Sequence, residues 1–150
     1  MKKVLVAYVS MTGYTQKMAE NIVEGIRQSG NEAVLKKVLE LKDPEALKGY
    51  DGYFFGSPTY YRNMTAEMQD FLLFARMANL NGKMGGAFGS YMFSGEAGKL
   101  IFETMEFVFK MDMLELGSLD LKEPVVPTEE GIMECRNYGK AMGECLARLP

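Results

Sequence analysis

The chain has 150 residues, with 17 Lys and Arg against 20 Asp and Glu, a formal charge of -3 and no histidine. The acidic balance argues against nucleic acid and anionic membrane surfaces as partners. The lack of histidine excludes Ser-His-Asp and Cys-His catalysis and removes the commonest metal ligand.

A composition of 47% hydrophobic and 25% charged residues fits one globular domain over residues 1–150. After Met1-Lys2-Lys3 the apolar run ends at Ser10, too short for a signal peptide, and no run approaches a membrane span, so a cytoplasmic location is expected. Asn63-Met64-Thr65 matches a glycosylation acceptor that such a location leaves unused. Cys135 and Cys145 fall in one helix-patterned segment, about 15 Å apart along its axis, and are expected as two reduced thiols.

Val4–Val9 is a continuous apolar run, the pattern of a strand buried on both faces. Ser10-Met11-Thr12-Gly13-Tyr14-Thr15 follows and opens a helical repeat to Gln28, with Met18, Ala19, Ile22, Val23 and Ile26 on its apolar face and Gly30 as a stop. The first four amides of a helix lack internal partners and sit at the positive end of its dipole. This turn therefore suits an anion, with Ser10, Thr12 and Thr15 as further hydroxyl donors. It holds no Lys or Arg, and no G-x-x-x-x-G-K-[S/T] pattern occurs in the chain, so it fits one terminal phosphate better than an ATP site. An ordinary strand-to-helix turn capped by Thr is the plainer alternative.

Ala33–Leu39 reads as a second strand, broken by Lys36 and Lys37 as suits an edge, and Asp43-Pro44-Glu45 caps a short turn through Leu47. A short third strand, Tyr53–Gly56, runs into Ser57-Pro58-Thr59-Tyr60-Tyr61-Arg62-Asn63. Thr65 then caps a helix with Met64, Met68, Phe71, Leu72, Ala75 and Ala78 on one stripe. Met84–Ser90 forms a fourth strand, followed by an aromatic, Gly-containing loop through Gly98 and a helix with Ile101, Met105 and Val108 inward. Met113–Leu121 is expected to hold the fifth strand. Thr128 caps a last helix that packs through Ile132, Cys135, Gly139, Met142 and Leu146.

Five strands alternating with four helices imply parallel pairing, right-handed crossovers and a three-layer α/β sandwich. Ligands of such sheets bind at the carboxyl ends of the strands, where loops 10–15, 57–64 and 90–98 are expected to converge. A phosphate loop and two aromatic loops at one edge describe a ligand with a phosphate and a large flat ring.

Within that frame Ser10–Thr15 resembles the [S/T]-x-T-G-x-T phosphate loop of the flavodoxin family. Gly56-Ser57-Pro58-Thr59-Tyr60, and Ala87-Phe88-Gly89-Ser90-Tyr91 through Ser94-Gly95-Glu96-Ala97, resemble the ring loops in the flavodoxin domain of flavodiiron proteins. The resemblance covers essentially the whole chain. It implies a short-chain flavodoxin fold, a five-stranded sheet of order 2-1-3-4-5 and non-covalent FMN. It places Ser10, Met11, Thr12, Gly13, Tyr14 and Thr15 on the phosphate. Pro58, Thr59, Tyr60, Tyr61 and Asn63 would line one side of the isoalloxazine, and Ser90, Tyr91, Met92, Phe93 and Gly95 the other. An aromatic stacked on the ring disfavours the electron-rich, fully reduced flavin and lowers its potential; loop aromatics packed on the surface are the plainer alternative.

Departures from the family pattern carry their own expectations. Met92-Phe93 stands where flavodiiron proteins usually have Gly-Trp, which puts a sulfur at the ring. Their metal-binding domain is missing, so oxygen or nitric oxide reduction at iron is not expected of this chain alone. Tyr60–Met64 contains no glycine for the peptide flip known in the family, which makes Asn63 the expected positive-φ residue. Arg62 either lies near the ring, raising the second-electron potential, or faces solvent or a partner.

The first functional expectation is an FMN electron carrier, a monomer or weak dimer. It would shuttle low-potential electrons between redox partner proteins, guided to basic surfaces by Glu67, Asp70 and Glu96. The second is an FMN-dependent NAD(P)H:quinone oxidoreductase, since Ser57-Pro58-Thr59 followed by Asn63-Met64 also resembles that branch of the fold. The third is a flavin-free α/β binding module. A G-x-G-x-x-G fingerprint is lacking, as are the first-loop Cys and Arg of a tyrosine phosphatase and the acidic residues of a receiver domain.

Overall fold

The computed structural model describes residues 1–150. Its strands are β1 (Lys3–Tyr8), β2 (Glu32–Lys37), β3 (Gly52–Gly56), β4 (Thr59–Tyr60), β5 (Asn63–Met64), β6 (Met84–Tyr91), β7 (Asp112–Met113) and β8 (Leu119–Lys122). Its helices are α1 (Tyr14–Gln28), α2 (Ala66–Ala75), α3 (Ala97–Phe107) and α4 (Glu129–Ala147).

The main sheet is parallel, in the order β2-β1-β3-β6, with β7 and β8 both beside β6. Alternation along the central strands divides the core into two layers, as buried strands require. Val4, Val6, Tyr8 and Phe54 pack with α1 and α4, while Leu5, Ala7, Val9, Tyr53 and Phe55 pack with α2 and α3. Helices α1 and α4 touch backbone to backbone through glycine: a Cβ at Gly25 would collide with the Arg136 carbonyl, and one at Gly139 with that of Ile22. Thr65 and Thr128 cap α2 and α4, accepting from Met68 N–H and Gly131 N–H at 3.2 Å each.

The sheet order agrees with the expected 2-1-3-4-5, but the strand count does not. The fifth position, expected as one strand within Met113–Leu121, is filled by two short ones: β7 pairs with Met84–Gly85, and β8 with Phe88–Tyr91. Between them the chain turns away at Gly117, φ +79°. The gap leaves Ala87 N–H without a strand partner, and Tyr138 of α4 fills it: its hydroxyl accepts from Ala87 N–H (3.1 Å) and donates to the Gly117 carbonyl (2.6 Å). Burial, helped by Asp120, pushes the Tyr138 phenol well above its ordinary range. It therefore stays neutral and able to do both.

Two further expectations need correction. The second strand ends at Lys37, because Val38–Glu40 is a 3-10 turn whose Glu40 carboxylate takes the Lys37 N–H (2.8 Å). Val108 is not part of the buried stripe of α3. The helix stops at Phe107, Lys110 turns left-handed at φ +58°, and Phe109 takes the inward position, leaving Val108 exposed.

Candidate functional site

The carboxyl ends of β1, β3 and β6 lie side by side, register-locked by Tyr8↔Gly56 and Gly56↔Phe88. The three loops leaving them meet at one sheet edge.

The first loop is an amide cradle. Gly13 takes φ +96°, which reverses the chain into α1. Ser10 Oγ accepts from Gly13 N–H (3.1 Å) and Gln16 N–H (3.2 Å). The amides of Met11, Thr12, Tyr14 and Thr15 donate to no acceptor in the protein. Met11 and Thr12 are exposed, Ser10 and Tyr14 half-buried. Thr15, expected as a further hydroxyl donor to the anion, is buried, its hydroxyl 2.8 Å from that of Ser90, equally buried, at the end of β6. That contact ties the start of α1 to the third loop.

The second loop is a two-residue hairpin, in which β4 and β5 pair Tyr60 with Asn63 and Thr59 with Met64. Its central residues Tyr61 and Arg62 both have positive φ, +51° and +64°, as a type I′ turn demands. The expected positive-φ residue, Asn63, is instead in β5, its side chain accepting its neighbour Met64 N–H (2.8 Å). Pro58 is buried, Thr59 half-buried, Tyr60 39% exposed and Tyr61 fully exposed.

The third loop carries Met92, 42% exposed, and Phe93, 95% exposed. Tyr91 is half-buried, and Gly95 lies over it: a Cβ there would come within 2.8 Å of the tyrosine ring. A groove of about 400 Å³ runs between the second and third loops, lined by Thr59, Tyr60, Arg62, Met92, Phe93 and Glu123. Tyr60 and Tyr61 also face a second groove, about 500 Å³, shared with Met11 and Asn63. Size does not single these out, since a groove of about 420 Å³ between α2 and α3 is equally roomy. What distinguishes the sheet edge is the neighbouring cradle of unpaired amides.

Two bridges join the second and third loops: Thr59 Oγ1 accepts from Ala97 N–H (2.9 Å), and Arg62 Nε lies 3.7 Å from Glu96 Oε2. Arg62 is therefore a mostly exposed cation beside a carboxylate rather than a free charge. Glu96, expected as a docking acid, is partly withdrawn from solvent, with one carboxylate oxygen buried and unbonded. Asp120 on β8, absent from the sequence-derived site, lies against the third loop and accepts from Gly98 N–H (2.9 Å). A strand acid between two leucines is a faint signal, and only the β6–β8 register brings it here.

No group of three or more His, Cys, Asp or Glu is placed to hold a metal, and no helix is long and apolar enough to cross a membrane. An amide cradle and two aromatic loops at the carboxyl edge of a parallel sheet make this an open-sheet α/β protein whose edge is suited to an anion beside apolar, aromatic surface. The flavodoxin family model matches residues 6–134, and the chain belongs to the flavodoxin family.

A flavodoxin from Clostridium saccharobutylicum is 39% identical over 88 residues, 59% of this chain and 55% of that protein. An NAD(P)H dehydrogenase (quinone) from Rhodopseudomonas palustris is 36% identical over 114 residues, 60% of this chain and 57% of its own. The chain thus spans little more than half the length of these relatives. Among solved structures, an archaeal flavodoxin superposes with a TM-score of 0.89 at 32% identity, covering 97% of this chain and 99% of that one. The flavodiiron protein of Giardia intestinalis does so at 0.87 and 28%, covering 98% of this chain and 36% of its own.

Proposed function

We propose that residues 1–150 form one FMN-binding domain that carries electrons between redox partner proteins. The observation that carries this reading is the meeting of the Ser10–Thr15 amide cradle with the exposed aromatics of two loops, in a chain of the flavodoxin family. When bound, FMN supplies reversible uptake of one or two electrons.

The residues present fit that group. Four unpaired amides and the hydroxyls of Ser10 and Thr12, with no acidic side chain between 10 and 15, suit a phosphate. Thr15, bonded to Ser90, contributes through its amide and by holding the cradle against β6. Pro58, Thr59, Tyr60, Tyr61 and Asn63 would flank the ring from the second loop, and Tyr91, Met92, Phe93 and Gly95 from the third, while Ser90, buried at the end of β6 on the Thr15 hydroxyl, would support the site from beneath rather than line the ring. Aromatic and thioether surfaces exclude water there and disfavour added negative charge on the ring. The groove between the second and third loops carries the Arg62–Glu96 pair and Glu123 as its charged groups and is otherwise hydroxyl, thioether and aromatic surface, which suits ring binding and electron exchange.

The test of the cradle compares FMN with riboflavin, which lacks the phosphate. FMN is expected to bind the apo-protein at least about a hundredfold more tightly, since several charge-assisted hydrogen bonds are at stake. Equal affinities would contradict the reading.

The likeness to NAD(P)H dehydrogenases (quinone) favours a second reading, an FMN-dependent NAD(P)H:quinone oxidoreductase. Fast reduction of the bound flavin by NADPH or NADH, followed by reoxidation by a quinone, would put it first.

A further inference from the structure

The third loop is fastened from outside itself. Helix α3 starts at Ala97, yet Glu96, its cap residue, has helical backbone angles and makes no side-chain capping bond. Other elements meet the first two amides: Ala97 N–H donates to Thr59 Oγ1, and Gly98 N–H to Asp120 Oδ1, each at 2.9 Å. Asp120 faces Gly89 across the β6–β8 ladder, and its second oxygen accepts from Ser118 Oγ at 2.9 Å. Glycines crowd it. A Cβ at Gly98 would overlap the carboxylate, one at Gly89 would lie 3.0 Å from Oδ1, and one at Gly95 would lie 3.4 Å from Asp120 Cβ.

A carboxylate so enclosed is costly unless its bonds return something. Those bonds hold the root of the loop that carries Met92 and Phe93. We propose that Asp120 is a positioning residue for the flavin ring: by capping α3 in trans, its charged carboxylate holds residues 92–96 against the Thr59–Met64 hairpin.

The proposal rests on the FMN reading of the site. Burial pushes the Asp120 carboxyl up to about 6, against the lowering effect of the bonds from Ser118 and Gly98 and with a further rise from Glu96. Glu96 on the loop and Tyr138 on α4 are the ionisable groups that act on it, Arg62 stands beyond Glu96 as that residue's partner, and Lys122 follows two residues along β8. A charged acceptor makes a hydrogen bond about twice as strong as a neutral one. The cap should therefore weaken as pH falls through about 6.

Asp120→Asn keeps an acceptor for Gly98 but cannot titrate. In the apo-protein, the Gly98 amide resonance is expected to titrate with a midpoint near 6 in the wild type and to stay flat in Asp120→Asn. Ser118→Ala, which removes a bond that favours the charged form, should move the wild-type midpoint upward. FMN affinity supplies the second readout. The ratio of the Kd of Asp120→Asn to that of the wild type is expected to rise from near one at pH 5 to roughly fivefold at pH 8, a difference of ~1 kcal/mol in one bond. The FMN phosphate also titrates near pH 6, but equally with both proteins, so it cancels in the ratio.

A Gly98 resonance that does not titrate overturns the cap. A titrating resonance with a pH-independent Kd ratio overturns the positioning role and leaves Asp120 a structural residue. A wild type that binds no FMN overturns the flavin reading and the positioning role with it, while the Gly98 titration would still report the cap.

Discussion

Arg62 concentrates two opposing effects in one residue. Its left-handed backbone costs about 1 kcal/mol for a residue with a Cβ, and its charge stands beside Glu96 near the ring groove. Arg62→Gly is expected to raise apo-protein stability by up to ~1 kcal/mol in denaturant titration, because glycine takes that conformation without strain. In the FMN-loaded protein the same change should lower the second-electron potential. An exposed pair contributes under ~1 kcal/mol, so the shift should stay below about 40 mV. Asp120 has the opposite character, a buried charge that costs stability. Its folded carboxyl is raised from 3.8 to about 6, so the folded state holds the proton more tightly, and stability present below pH 4 is lost as pH rises through 6. Asp120→Asn apo-protein should therefore gain on the wild type between pH 4 and pH 7, by up to ~2–3 kcal/mol, in urea melts at both pH values. Asp120 could not be picked from the sequence, because its partner amide lies 22 residues away and only strand register joins them. Asn63 was the natural choice for positive φ by residue preference; the pairing of Tyr60 with Asn63 decided otherwise by putting Tyr61 and Arg62 at the turn.

At the scale of elements, periodicity was strong evidence where one element buries a whole face. β1, β3 and α1 follow their hydrophobic patterns, α4 does so at Cys135, Gly139, Met142 and Leu146 but with Ile132 only half-buried and Tyr138 inward, and the threonine caps of α2 and α4 stand where Thr65 and Thr128 predict them. The fifth strand was not legible as two pieces, because what mends its gap is a tyrosine hydroxyl from α4 rather than a backbone pattern. Tyr138→Phe should leave Ala87 N–H and the Gly117 carbonyl without that partner and cost about 2 kcal/mol, read from the urea midpoint at unchanged slope. Gly139→Ala tests the α1–α4 contact, where a Cβ meets backbone that cannot swing aside; a loss of ~1–3 kcal/mol is expected by the same measurement. The end of α3 shows the limit of spacing arguments. Val108 continues the inward stripe on paper, but the helix ends one residue earlier and Phe109 fills the space.

For the molecule as a whole, the fold and the position of the candidate site follow from the alternation of strands and helices, because an open parallel sheet offers its carboxyl edge to ligands. Loop conformation was less legible, since it depends on contacts between loops: Thr15 with Ser90, Thr59 with Ala97, Arg62 with Glu96. Those contacts draw three separate stretches of sequence into one site. If Asp70 and Glu67 on α2 steer basic partners, as proposed, the association rate should fall as salt rises. The central claim, an FMN electron carrier, is tested most directly by anaerobic spectroelectrochemical titration of the FMN-loaded protein, followed by addition of NADPH and NADH. The account predicts flavin spectra, potentials well below zero, and no rapid reduction by either nucleotide. Rapid reduction by a nicotinamide with reoxidation by quinone would contradict it and make the protein an enzyme.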